Sequence, residues 1–322
     1  MRLGRRELAA AISIPIVFAV LFYTPPLAFN LLVAAVTLGA LWEFYRLAEK
    51  TGLPVAKTVG IVAGAALLVW WASFWGYAYA PHPGITVALA GLLLFVFLAS
   101  LAPLFAKVDL PEALGGASGT VFGVLSVALP ATAMCYLRII SPRAVVFLFL
   151  LVWGCDSFAY YVGKNFGKRK LAPRVSPNKT WEGTIGGLVG GTLIGAAAAT
   201  WWVYPELGPA RGALAGALAT SAGQLGDLVE SMWKRGAGVK DSGTFLPGHG
   251  GFYDRIDSLL YAAPVLAFFI GGSTPPVGSK RPLRNIPWRK RNCSGGSVRR
   301  GSLGPGEKQR QYGRSVQERV DP

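Results

Sequence analysis

The chain has 322 residues, of which 52% are apolar and 15% charged, with a formal net charge of +16. Soluble domains carry about 25% charged residues, so this composition excludes a soluble nucleic-acid-binding protein as well as a disordered chain or a coiled coil. Three cysteines are too few for a disulfide scaffold. The long apolar runs instead predict an all-α, polytopic integral membrane protein.

Apolar segments long enough to approach the about 20 residues of a membrane-crossing helix recur along the chain. In chain order they are 8–23, 27–45, 59–77, 85–105, 120–137, 144–162, 184–202, 212–228 and 256–270. We therefore expect about nine transmembrane helices. The stretch 183–198 is rich in Gly and Ala, which favour close packing of helices.

The first segment has two readings. Basic residues precede its apolar run, as in a cleavable signal peptide. We favour an uncleaved helix, because Thr24-Pro25-Pro26 turns directly into another apolar helix and no convincing cleavage site precedes it.

Lys and Arg are distributed unequally between the segments on the two sides of the predicted membrane. With the amino terminus in the cytoplasm, the inside segments hold seventeen Lys and Arg residues and the outside segments up to residue 270 hold three. By the positive-inside rule, the two large basic loops, and with them the active site, are predicted to face the cytoplasm of a bacterial-type inner membrane.

The carboxyl-terminal tail, residues 273–322, does not follow the positive-inside rule. Nine crossings would place its twelve Lys and Arg residues outside. Three interpretations remain open: a disordered basic extension, a miscounted helix, or a frameshifted or read-through end. We divide the chain into amino-terminal transmembrane helices (1–140), a catalytic transmembrane region with two cytoplasmic loops (141–272) and the basic, disordered tail (273–322).

Five acids stand at the cytoplasmic ends of predicted spans. An ionisable side chain within a span is rare, because inserting it costs about 2.5–3.5 kcal/mol at the helix centre, and it commonly marks a functional site. They are Asp156, Asp227, Glu230, Asp254 and Asp257. Asp227 and Glu230 are three residues apart, as are Asp254 and Asp257, so each pair shares a helical face. Carboxylates together with substrate phosphates are typical ligands of Mg²⁺.

The loop between the last two spans is the densest polar stretch of the chain. Its glycines allow a close approach of the backbone to a ligand, and Lys234, Arg235 and Lys240 supply positive charge for phosphoryl oxygens. Together with the acids, these residues predict a metal-bound polyphosphate. His249 is either an acid–base group or a residue that orders the loop or contacts phosphate. Zinc is disfavoured, because no second histidine or cysteine pair lies nearby.

These residues resemble the signature of the phosphatidate cytidylyltransferase family. The matching elements are Ser231, Lys234-Arg235, Lys240-Asp241, Pro247-Gly248-His249-Gly250-Gly251, Asp254-Arg255 and Asp257. The upstream elements Ser176-Pro177, Lys179-Thr180 and Glu182-Gly183, and Asp156 with Ala159-Tyr160, are also similar. The resemblance is strong over 151–270, looser before it and absent after about residue 272.

The resemblance implies that CTP and phosphatidate react to give CDP-diacylglycerol and pyrophosphate, with Mg²⁺ and at a membrane surface. We expect Asp227 and Asp254 to hold the metal, and Glu230, Asp156 and Asp257 to complete or support the ligand set. The catalytic residues are Asp227, Asp254, Lys234, Arg235, Lys240, Asp241, His249, Arg255 and Asp257. The substrate-binding residues are Ser176, Lys179, Glu182, Ser231, Gly248, Gly250 and Gly251. A second metal ion and a homodimer are left open.

Two rival functions remain. A related cytidylyltransferase could act on another lipid phosphate, such as an isoprenoid ether. An ion-coupled transporter could use Asp156 and Asp227 as a cation pathway, although no internal repeat of the kind common in transporters is visible. The CDP-alcohol transferases are disfavoured because their Asp-Gly-x-x-Ala-Arg motif does not occur in the chain.

Overall fold

The computed structural model describes residues 15–76, 84–105, 108–201, 203–243 and 250–271. Helices account for most of these residues. They are α1 (15–23), α2 (Pro26–Lys50), α3 (Lys57–Gly76), α4 (Gly84–Phe105), α5 (Leu110–Gly123), α6 (Leu129–Ile140), α7 (Pro142–Phe166), α8 (Trp181–Trp201), α9 (Pro209–Gly236) and α10 (Tyr253–Gly271). A π-helical turn, Val124–Ala128, joins α5 to α6 without a break.

Within the described ranges, each of the nine predicted apolar segments falls largely on a helix, the fifth of them on α5, the π-helical turn and α6 together. Four helical stretches there are long and apolar enough to cross a membrane: Pro26–Lys50, Leu110–Ile140, Pro142–Phe166 and Trp181–Thr200. The protein is therefore all-α and of the membrane type, while nine crossings remain a prediction. Residues 1–14 and the predicted tail lie outside the described residues, and the proposed domain boundaries also remain predictions.

Proline marks where three of the helices begin. Pro26, Pro142 and Pro209 stand at the first positions of α2, α7 and α9. This position suits proline because its fixed φ angle matches the helix and its missing N–H would have no partner inside the helix. These prolines therefore set the starts of three helices of 25, 25 and 28 residues.

Helices α8 and α9 pack with their backbones in close contact. A methyl group added at Gly195 would overlap the carbonyl oxygen of Gly212, and one added at Gly216 would overlap that of Gly191. Small residues allow this approach in helical membrane proteins. The Gly- and Ala-rich segment predicted to pack closely does so, and it brings α9 against the helix that follows the first loop.

A short antiparallel hairpin interrupts the helices between α7 and α8. Its strands are β1 (Lys170–Ala172) and β2 (Ser176–Thr180), with Lys170 opposite Thr180 and Ala172 opposite Ser176. The sequence prediction of an all-α chain did not include this hairpin. Its consequence for the site is that Lys179 is placed on a strand rather than on an open loop.

An aromatic cluster connects three helices and the start of a fourth. The ring of Phe44 on α2 lies 5.3 Å from that of Trp233 on α9, and Phe122 on α5 lies 5.4 Å from Trp233. Trp233 stacks on Tyr253 of α10 at 6.2 Å and 12°. Offset aromatic pairs are worth about 0.5–1.5 kcal/mol beyond their burial. The cluster therefore fixes the ends of α9 and α10 that carry the acidic residues.

Candidate active site

Three carboxylates converge between the end of α9 and the start of α10. Asp227 and Glu230 share a face of α9, and Asp257 comes from α10; one oxygen of each lies within 4.8 Å of the others. We call these three residues the carboxylate trio. Like charges at such separation repel one another, and a divalent cation between them relieves that repulsion.

Glu230 is the most buried member of the trio, with no exposed side-chain surface. Its Oε2 forms an ion pair with Lys234 Nζ at 2.7 Å, while no N–H or hydroxyl group of the described residues donates to its Oε1. Burial, and then the charge of Asp257, raises the pKa of Glu230 above its ordinary value. A buried carboxylate oxygen without a donor is costly, so the three carboxylates fit a hard divalent cation such as Mg²⁺.

Lys234 joins two acids at once. Its Nζ lies 2.7 Å from Glu230 and 2.6 Å from Oδ1 of Asp254. Burial lowers the pKa of Lys234, but the two carboxylates outweigh burial and hold this pKa above its usual value. Lys234 therefore stays charged and ties α9 to α10.

Asp254 has a different environment from the trio. Besides the Lys234 ammonium, its carboxylate accepts the backbone N–H of Gly251 at 2.7 Å and both the N–H and the hydroxyl of Ser242 at 2.9 Å. Burial opposes the charge, but Lys234 and these N–H groups hold the pKa of Asp254 below its usual value. The structure thus places Asp254, a predicted metal ligand, as the organiser of the loop and outside the carboxylate trio.

The hairpin brings a cation to the trio. Lys179 Nζ lies 2.7 Å from Oδ2 of Asp227, and the hydroxyl of Ser231 donates to Oδ1 of Asp227 at 3.3 Å. Asp156 on α7 interacts electrostatically with both Lys179 and Asp227, but it is not a member of the trio. The residues predicted from the two separate loops are therefore brought together.

Other predicted substrate-binding residues support the loops in this structure. The Glu182 carboxylate accepts the backbone N–H groups of Lys168 and Arg169 at 3.1–3.2 Å, which orders the chain before β1. Arg235 donates from Nε to the carbonyl oxygen of Val175 at 3.3 Å, so it links α9 to the hairpin turn. Ser176 is half-buried on β2.

The remaining cations lie toward the surface. Lys240 and Asp241 are exposed and line a cleft of about 290 Å³ together with Arg46 and Lys50 of α2. Arg255 is also exposed. This cleft gathers positive charge close to the loop that Asp254 organises.

Two of the predicted glycines pack against carboxylates. Gly250 has a φ of +77°, and a methyl group there would overlap Oδ2 of Asp254. A methyl group at Gly251 would overlap the carboxylate of Glu43. Gly248 and His249 lie outside the described residues, so their predicted roles remain predictions.

Glu43 is a residue that the sequence analysis missed. It is buried on α2, and its carboxylate accepts the N–H groups of Phe252 and Tyr253, while its Oε2 lies 2.8 Å from the hydroxyl oxygen of Ser242. An acid inside an apolar predicted span was the available signal, since such residues are rare and commonly functional. Its partners lie about two hundred positions away in the chain, so the contact could not be predicted.

An apolar cavity of about 660 Å³ adjoins this region, between α2, α5 and α9. It is lined by Phe44, Leu47, Ala48, Thr51, Leu53, Gly115, Ser118, Gly119, Phe122, Met232, Trp233 and Gly236. Trp233 and Gly236 flank Lys234 and Arg235 in the chain. An apolar cavity next to a charged site suits an amphiphilic molecule.

The fold and the site together define a helical membrane-type protein with an acidic, lysine-flanked centre. The chain belongs to the cytidylyltransferase family, whose model matches residues 4–271. It is 37% identical over 288 residues to the phosphatidate cytidylyltransferase of Pseudomonas aeruginosa, covering 82% of this chain and 96% of that protein. The resemblance found in the sequence is thereby confirmed.

Further relatives with the same name come from distant bacteria. The phosphatidate cytidylyltransferase of Haemophilus influenzae is 34% identical over 295 residues, covering 83% of this chain and 98% of that protein. That of Bacillus subtilis is 33% identical over 280 residues, covering 83% and 97%. Family membership over this length excludes the transporter alternative.

Proposed function

We propose that this chain transfers the cytidylyl group of CTP to phosphatidate, which yields CDP-diacylglycerol and pyrophosphate. The single observation that carries this proposal beyond family membership is the carboxylate trio, flanked by Lys179 and Lys234. Carboxylates and ammonium groups around one point are what a metal-bound triphosphate requires.

In this proposal Asp227, Glu230 and Asp257 would hold Mg²⁺ next to the phosphates of CTP. The buried Oε1 of Glu230 supports this assignment, because no N–H or hydroxyl group of the described residues donates to it. When bound, the ion supplies positive charge that neutralises phosphoryl oxygens. Asp254 and Asp156, which the sequence analysis also expects as ligands, lie outside the trio and are proposed to support it. A second ion remains a prediction.

The protein's own residues then position the reactants. A phosphate oxygen of phosphatidate forms a bond to the α-phosphorus of CTP, and the bond from this phosphorus to the β-phosphate oxygen breaks. Pyrophosphate leaves with that electron pair. Because phosphatidate already carries an anionic nucleophile, positioning and charge neutralisation provide most of the catalysis. Lys179, Lys234, Arg235, Lys240 and Arg255 are the candidates for this task.

The amphiphilic substrate fits the surroundings of the site. Its phosphate would approach the cations around the trio, and its hydrocarbon chains would enter from the bilayer toward the apolar cavity. We further propose that the site faces the cytoplasm at a bacterial inner membrane, as the distribution of Lys and Arg predicts. A homodimer and the absence of nucleic-acid binding remain predictions.

The experiment is pyrophosphate release from the purified full-length protein in mixed micelles. Release is expected to require CTP, phosphatidate and Mg²⁺ together, and to be lost in Asp227→Asn. Glu112→Gln, an exposed acid at the start of α5, serves as the matched control. Offering an isoprenoid-ether phosphate in place of phosphatidate tests the alternative substrate. Near-normal activity of Asp227→Asn would contradict the proposed site, and no activity of the unmodified protein with phosphatidate would contradict the function.

A further inference from the structure

Glu43 connects the amino-terminal helices to the segment that carries the candidate active site. Its Oε1 accepts the N–H of Phe252 at 3.1 Å and its Oε2 accepts the N–H of Tyr253 at 2.9 Å. These N–H groups belong to the amino terminus of α10, which begins at Tyr253. The first N–H groups of a helix have no partner within it, so Glu43 caps α10 from another helix.

A carboxylate is the best side chain for this position. It accepts two N–H groups at once, and its negative charge interacts favourably with the positive end of the helix dipole. Hydrogen bonds to a charged acceptor are stronger than those between neutral groups. The cap fixes the start of the helix on which Asp254 and Asp257 both lie.

Ser242 extends the contact to the other side of the loop. Its hydroxyl oxygen lies 2.8 Å from Oε2 of Glu43 and 2.9 Å from Oδ2 of Asp254. The Ser242 hydroxyl thus stands between the acid on α2 and the one that pairs with Lys234. The two ends of the segment 242–253 are both held by Glu43.

Two glycines in this segment leave room for the Glu43 carboxylate. A methyl group at Gly243 would overlap Oε1 of Glu43, and one at Gly251 would overlap Oε2. A side chain at either position would push the carboxylate away from its partners. The lack of a side chain at Gly243 and at Gly251 therefore also supports a fixed position for the Glu43 carboxylate.

We infer that Glu43 is a positioning residue, which sets the geometry of the carboxylate trio by capping α10 at Phe252 and Tyr253 and by contacting Ser242. It touches neither substrate in this account; it acts through Asp257, which α10 carries, and through Asp254. The effect of Glu43 on catalysis rests on the proposed function, whereas the contacts of Glu43 are independent of that function.

The test compares Glu43→Gln with Glu49→Gln, an exposed acid on the same helix that pairs with Lys57 at 2.9 Å. Three quantities are measured on the full chain in detergent: hydrogen exchange of the peptide containing Phe252 and Tyr253, the Mn²⁺ affinity by electron paramagnetic resonance, and pyrophosphate release. Removing a residue that supports metal ligands commonly costs about 10- to 100-fold in metal affinity or activity. We expect Glu43→Gln to exchange faster at α10 and to lose Mn²⁺ affinity by that factor.

A second variant keeps the test decisive if Glu43→Gln does not fold. Gly243→Ala keeps the acid but displaces it, and is expected to reproduce the faster exchange and the weaker Mn²⁺ binding. Gly91→Ala on α4 is its control, since a methyl group there meets nothing within 4 Å. Wild-type exchange and Mn²⁺ affinity in Gly243→Ala or in folded Glu43→Gln would overturn the inference. An inactive wild type would instead refute the proposed function and leave these two readouts valid.

Discussion

Lys179 on β2 and Asp227 on α9 form an ion pair, with Nζ 2.7 Å from Oδ2. The pair joins the hairpin to the carboxylate trio across two segments that are nearly fifty residues apart in the chain. About a third of each side chain is exposed, at 27% and 32%. A pair this accessible to solvent contributes little to stability, so its location at the trio points to a role in substrate binding.

Lys179→Ala is therefore expected to lower kcat/KM for pyrophosphate release by about 100- to 1,000-fold, as when a group that stabilises charge in the transition state is lost. The midpoint of thermal unfolding should change little, because exposed ion pairs contribute about 0–1 kcal/mol. Lys57→Ala is the matched control: its pair with Glu49 is 2.9 Å long and similarly exposed, at 27% and 42%. Equal activity of the two variants would contradict a role for Lys179 at the site.

Glu230 is expected to make metal binding depend on pH. Its pKa is raised by burial and by Asp257, so a proton competes with the cation, and the Mg²⁺ concentration needed for half-maximal activity should fall as pH rises from about 6 to about 8. The stability of the metal-free protein should change in the opposite direction, falling as pH rises. A raised carboxyl pKa contributes stability at low pH that is lost as pH rises toward the folded-state pKa.

The Glu230→Gln variant tests the pH dependence of both metal binding and metal-free stability. It is expected to lose activity while its metal-free form loses less stability with rising pH than the wild type, because no buried carboxyl ionises at that position. Thermal unfolding in a chelator across the pH range measures the stability. An unchanged pH profile in Glu230→Gln would show that another group titrates.

Asp254→Asn is expected to destabilise the protein, unlike Asp257→Asn. Asp254 accepts hydrogen bonds from Lys234, Ser242 and Gly251, and leaving such partners unsatisfied costs about 1–3 kcal/mol. Its lowered pKa means that its contribution is present above the unfolded-state pKa of about 4 and is lost as pH falls. Asp257→Asn removes a carboxylate with like-charged neighbours, so unfolding midpoints should separate the two variants at neutral pH.

Equal thermal midpoints in these two variants would indicate that Asp254 does not organise the loop. The outcome also separates the two roles considered for Asp254. A residue that mainly ligates a cation should affect stability chiefly when the metal is present, whereas a residue that holds a loop affects it in chelator as well.

Gly195→Ala is expected to weaken the packing of α8 on α9. The added methyl group would overlap the carbonyl oxygen of Gly212, and overpacking a close contact costs about 1–3 kcal/mol. Gly91→Ala on α4, where a methyl group meets nothing within 4 Å, should instead behave like the wild type. Thermal unfolding in the same detergent provides the comparison, and equal midpoints would contradict the close approach of the two helices.

Much of the fold could be predicted from hydropathy, because each apolar segment is a local property of the chain. The helix containing Val124–Ala128 was placed correctly, but its π-helical turn had no sequence signal that we recognised. The hairpin was missed for a similar reason: strands of three and five residues are too short to show a period of two.

The sequence analysis also named several residues that the structure brings close together. Asp227 and Glu230 share a helical face, as their spacing predicted, and Asp257 joins them. Which acid does what could not be predicted, because the answer depends on contacts between distant segments. Asp254 faces Lys234 and Ser242, and Glu43 reaches the loop from α2; neither relationship has a local pattern.

The most direct test of the central claim is Mn²⁺ binding to the purified full-length protein, compared between the wild type and Asp257→Asn. The account predicts one tightly bound ion in the wild type and its loss in the variant, with Glu112→Gln binding as the wild type does. Mn²⁺ binding of wild-type affinity in Asp257→Asn would contradict the assignment of the carboxylate trio as the metal site.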